Sequence, residues 1–218
     1  MEFLTQLKAD YTAYLLSQGQ RPPSVQAFME QSDKSEADFY EVMGSFEGLE
    51  QSIFLDYFQR ALDTLKQSSE YQGYDSGQRF AALYFTWLEV LGDNRSIVNI
   101  IQKHDNGWLW PEYLEAVKTP FNNFIKELLQ DGVDEDEIAD RWFFNNTYPT
   151  ILWEQAKNTI NYWLNDNSQG FERTDALVEK QVRFVFDLIS PNLIDSGWDL
   201  IRYVVQGKYM IFLFLLYD

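Results

Sequence analysis

The sequence predicts an all-α protein of about nine helices, taking a typical helix length, and three observations carry that expectation. Apolar residues recur at helical spacing over long segments. Strand signals are almost absent, since no alternating run is bounded by Asn-Gly or Asp-Gly at hairpin spacing. The breaks between periodic segments are short and polar, and several carry Gly or Pro. The 218 residues are 45% hydrophobic and 17% aromatic, too apolar for disorder despite 34 acidic against 17 basic side chains.

Gly19 to Pro23 ends the first helical run. Ser24 is placed to cap a short helix containing Val25, Phe28 and Met29. Ser32-Asp33-Lys34 makes a polar turn, Ser35 is placed to cap a second short helix holding Phe39 and Tyr40, and Gly44-Ser45 ends it. Helix, tight turn, short helix is the layout of a helix-turn-helix. From Leu49 a stripe runs through Ile53, Phe54, Tyr57, Ala61, Leu62 and Leu65. Ala81, Tyr84, Phe85, Leu88 and Leu91 form another, with Ser76 as the expected N-cap. A third, Leu177, Val178, Val182, Val185, Phe186, Leu188 and Ile189, stops before Pro191. Helices before Gly44 read as short and those after it as long, so a boundary is expected at residue 48, separating 1–48 from 49–218.

Charge and motif content remove several functions. A net charge of −17 argues against a surface built to hold phosphate. Zero cysteines exclude disulfides and thiol chemistry and fit a reducing cytoplasm, the expected location. The N-terminus lacks a basic signal-peptide region, and the apolar run from Tyr209 to Tyr217 is far shorter than the roughly 20 residues of a spanning helix. His104, the only histidine, reads as a helix C-terminal residue with no suitably placed nucleophile. The acids from Asp131 to Glu137 lack the order of a calcium loop and are expected to open a helix. With no phosphate loop, metalloprotease or nucleophile-elbow motif, no enzyme, metal or cofactor is expected.

The head segment resembles the TetR family of transcriptional regulators. The match lies in Gly19, Ser24-Val25, Ser35, Phe39-Tyr40 and Gly44-Ser45-Phe46-Glu47-Gly48-Leu49. The resemblance implies a helix-turn-helix domain at 1–48 and a helical ligand-binding and dimerisation domain at 49–218. It implies DNA-facing roles for Ser35, Glu36, Ala37, Asp38, Tyr40, Glu41 and Phe46, with Phe46 standing where a phosphate-contacting lysine is usual. From Ser24 to Glu50 there is one base, Lys34, against seven acids, Glu30, Asp33, Glu36, Asp38, Glu41, Glu47 and Glu50, a net of −6. Phosphate neutralisation supplies nearly all non-specific affinity for duplex, so this head is expected to have lost ordinary DNA binding.

For the body, the resemblance implies a ligand cavity and a homodimer. Trp87, Trp108, Trp110, Tyr113, Phe121, Phe124, Trp142, Phe143 and Trp153 are the pocket candidates, with Trp108, Trp110 and Tyr113 at its mouth. Core packing of the same rings is the competing expectation. Val182, Val185, Phe186, Ile189, Tyr203, Val204, Met210 and Phe214 are the interface candidates, since the end of the chain carries more apolar surface than one helix face hides. The leading expectation is therefore a TetR-like homodimer whose body binds a hydrophobic small molecule or a protein. The alternatives are a working ligand-responsive repressor and a lipid-binding protein on the same fold.

Overall fold

The computed structural model describes residues 2–32, 34–104, 111–139 and 147–190. Among them are nine α-helices and no strand: α1 Glu2–Gln18, α2 Val25–Met29, α3 Glu36–Val42, α4 Phe46–Gln67, α5 Ser76–Asp93, α6 Arg95–His104, α7 Glu115–Asp134, α8 Tyr148–Asn165 and α9 Glu172–Ile189. The expected helix over 197–217, with Tyr203, Val204, Met210 and Phe214, lies outside the described residues.

The head is α1 to α3 packed on the start of α4. In α1, Leu7, Tyr11 and Leu15 are buried one turn apart, and Gly19 closes the helix in the left-handed region, φ 67°, donating its N–H to Leu15 O at 2.8 Å. Ser24, Ser35 and Ser45 cap α2, α3 and α4 in turn, each Oγ accepting from a backbone N–H three residues on. The head's core is aromatic: Tyr11 stacks on Phe46 at 5.2 Å, and Phe28 and Phe39 meet Phe46 edge to face at 5.9 and 5.6 Å.

In the body α4 lies against α5 and α7, α5 against α9, and α7 against α8. Arg95 ties the far end together. Its guanidinium sits 4.3 Å from the Trp163 ring and 4.4 Å from Phe171, and it donates to Trp163 O and Leu164 O, carbonyls of the last turn of α8. Asp166 then caps the entry to α9, accepting from Ser168 N–H and Oγ and from Thr174 N–H and Oγ1 at 2.7–2.9 Å. Those hydrogen bonds, first from the Ser168 hydroxyl, hold its carboxyl well below the usual carboxylate range.

Three expectations need correction. The helices before Gly44 are not all short, since α1 has 17 residues. The cap of α5 is Asp75, in a reciprocal box with Gln78; Ser76 is the first helical residue, and its N–H donates to Glu137 Oε2 at 2.7 Å. The acids around 131–135 close α7 rather than opening a helix, and Arg79 offsets them, 3.3 Å from Asp131 and 3.8 Å from Glu135. No helix among the described residues is long and apolar enough to cross a membrane.

Candidate functional site on the helix-turn-helix head

The helix α3 is fixed by a capping box at its start and by one buried ring, and these decide which side chains it presents. Its capping box uses the Asp38 carboxylate, which accepts from Ser35 N–H at 2.7 Å and Ser35 Oγ at 2.8 Å. These bonds lower the Asp38 pKa. Phe39 is fully buried against the head core. The outward side of the helix is therefore Glu36, Ala37, Tyr40 and Glu41, all exposed.

The positions singled out as DNA-facing separate into three groups. Glu36, Ala37, Tyr40 and Glu41 share the outward face, whereas Ser35 and Asp38 are engaged with each other. Phe46 does not face outward as a phosphate contact would; its ring fills the space between Tyr11, Phe28 and Phe39.

The charge of the head is organised around a residue just upstream of the stretch counted in the sequence. Arg21, in the turn after α1, grips Glu50 on α4 through both Nε, at 2.8 Å from Oε1, and its second terminal nitrogen on Oε2, and reaches Glu47 at 2.6 Å. Tyr11 Oη donates to Glu50 Oε1 at 2.7 Å. Glu50 is only 1% exposed. Burial and then the Glu50 carboxylate raise the Tyr11 pKa; for Arg21, burial opposes the charge, but its bonds to Glu50 outweigh that and hold it protonated. Arg21 N–H also approaches His104 Nε2 at 3.4 Å, so the same turn touches the C-terminus of α6. A buried carboxylate at position 50 requires such partners, but sequence spacing did not connect residues 21, 47 and 50.

The other two bases of the head are Lys8 and Lys34. Lys8 pairs with Asp56 at 2.5 Å, and Lys34 lies over the Phe3 ring at 5.1 Å. Among the described residues of the first 50, Lys34 is the one base near α3; it is exposed, and its charge contributes to lowering the Asp38 pKa.

In the body, the pocket candidates Trp87, Phe121 and Trp153 are buried together. Phe121 lies 5.3 Å from Trp153 and 6.2 Å from Trp87, and Phe58 packs on Trp87 at 4.9 Å. Phe124 is half-buried. Tyr113 is buried on Phe54, with ring centroids 4.5 Å apart. Trp108, Trp110, Trp142 and Phe143 lie outside the described residues. Trp87 Nε1 is a buried donor with no hydrogen-bond partner among the described residues. Of the interface candidates, Val182 and Ile189 are buried within the chain, and Phe186 packs on Phe80 at 5.9 Å, with Val185 partly buried beside it. The apolar side chains that α8 and α9 leave exposed are Ile151, Tyr162 and Phe184.

A short head of capped helices on a larger helical body is the arrangement of a helix-turn-helix regulator. The family model described as tetracyclin repressor-like, C-terminal domain, matches residues 79–203, more than half of the chain. The chain belongs to the TetR family of regulators. No curated protein matches it.

Proposed function

We propose that this TetR-family protein is a cytoplasmic, non-enzymatic homodimer whose head no longer holds duplex DNA in the usual way and whose body binds a hydrophobic small molecule or a protein partner. The observation that carries the first part is the outward face of α3, where Glu36, Ala37, Tyr40 and Glu41 stand with Lys34 as the one base near them among the described residues. With one lysine to displace counterions against seven acids, the head lacks most of the term that anchors a reading helix over the major groove.

Two observations support the role of the body. Trp87 Nε1 is a buried donor among aromatic rings, and an unmet buried donor costs about 1–3 kcal/mol. An apolar ligand with one hydrogen-bond acceptor supplies what that position lacks. On α8, Ile151 and Tyr162 lie three turns apart on one outward side, and Phe184 is exposed on α9. A second copy covering these faces gives the homodimer.

The test is a mobility shift of the chain's own upstream DNA at about 50 mM salt, where phosphate contacts are strongest. No retarded band is expected, and a specific shift that disappears as salt rises overturns the loss of DNA binding. Native mass spectrometry addresses the body: retained small-molecule mass supports the ligand, and a ligand-free monomer counts against both parts.

A further inference from the structure

The outward face of α3 has the composition of a protein-docking surface. Glu36 and Tyr40 are one turn apart, as are Ala37 and Glu41, so the four side chains form one continuous patch opposite buried Phe39. Tyr40 is 53% exposed, and its ring is held edge to face on Phe39 at 5.5 Å. An aromatic ring presented outward and already oriented loses little freedom on binding, which is the usual character of an interface anchor. Val42, at the end of the same helix, is 36% exposed. Glu36 and Glu41 have no ion-pair partner among the described residues, in contrast to Glu47 and Glu50 on the other side of the head.

We infer that this face docks an arginine-rich segment of another protein, with Tyr40 as the anchor and Glu36 and Glu41 as its flanking carboxylates. The inference rests on the head having lost DNA, since duplex and partner would occupy one surface. Charge decides between partners. A second copy of this chain, with 34 acids against 17 bases, is disfavoured by net charge, and so is duplex DNA. Arginine rather than lysine fits because its planar guanidinium both stacks on a phenol ring and pairs with a carboxylate through two parallel hydrogen bonds.

The experiment is fluorescence anisotropy of labelled nona-arginine and nona-lysine titrated with the full chain at about 150 mM salt, where long-range attraction is screened. The arginine peptide is expected to bind more tightly. Glu36→Gln with Glu41→Gln should weaken it about tenfold, and Tyr40→Ala about fivefold while erasing the preference for arginine, as hot-spot truncations do. Tyr40→Phe keeps the ring and should keep that preference; unchanged far-UV circular dichroism shows that α3 remains folded in each variant. Glu127→Gln with Glu179→Gln removes the same charge from exposed sites on α7 and α9 and should cost less than about twofold if docking is local. Equal losses in this control and the head variants, equal binding of the two peptides by the wild type, or no binding up to about 100 μM protein each overturns the inference. A labelled duplex measured in parallel separates the two claims. Duplex binding that Tyr40→Ala abolishes sinks the loss of DNA binding itself, whereas silence from both duplex and peptide sinks only the docking surface.

Discussion

Arg21→Met isolates the interaction that seats the head on α4. Glu50 is 1% exposed and takes its hydrogen bonds from Tyr11 at 2.7 Å and from Arg21. Removing the guanidinium leaves a buried carboxylate facing a phenol, and breaking a buried pair in this way costs about 3–5 kcal/mol. The retained Tyr11 bond offsets about 1 kcal/mol. The Glu47 arm is half exposed and adds at most about 1 kcal/mol. A loss of about 3 kcal/mol is therefore expected, equivalent to about 6–12 °C in Tm for a chain of this size. Adding Glu50→Leu should restore most of it, because the unpaired charge and not the missing bridge is the source of the cost. Urea unfolding followed by circular dichroism measures both variants, with an unchanged slope showing that the unfolding reaction is the same. A single variant within about 1 kcal/mol of wild type, or a double variant as weak as the single, refutes the reasoning.

Three further outcomes follow from the body. A Cβ at Gly132 would stand 2.5 Å from both Ile138 Cδ1 and Ser76 Oγ, so Gly132→Ala should cost about 1–3 kcal/mol in urea unfolding, and a neutral result contradicts that close approach. Asp75→Ala should cost about 1 kcal/mol as a lost N-cap, while Ser76→Ala should cost nothing because its buried hydroxyl has no partner; the reverse ranking restores Ser76 as the cap. Asp166 has a depressed folded pKa, so its contribution is complete above the unfolded carboxyl value of about 3.9 and disappears as pH falls through the lower folded value. The Tm of wild type should fall more steeply than that of Asp166→Asn below that pH, and parallel curves reject the assignment.

The elements that sequence periodicity located are those with a buried stripe or a hydroxyl cap. The stripe from Leu49 to Leu65 became the buried side of α4, and Ser24 and Ser35 cap where their neighbours placed them, because both signals are local. What depends on contact across the chain was not legible. Arg21 is 29 residues from Glu50, and nothing in its own surroundings marks it as the partner of a buried acid. Phe46 resembled a displaced surface position by alignment of motifs, yet three aromatic rings that meet only in the folded head draw it inward. The acids at the end of α7 were placed at the wrong end of a helix because Arg79, their counter-charge, lies 52 residues from Asp131. The stripe of α9 showed an apolar face but not what covers it; α5 of the same chain takes much of that face, through Phe80.

The account's central claim is that uncompensated carboxylates on the α3 face, and not loss of the fold, keep this head off DNA. Its most direct measurement is duplex affinity against salt for the wild type and for Glu36→Lys with Glu41→Lys. The wild type should show no binding at about 50 mM salt, while the variant gains binding with a slope of log K against log salt near −1.8, about −0.9 for each phosphate neutralised. Wild-type binding with a slope as steep as the variant's would contradict the claim.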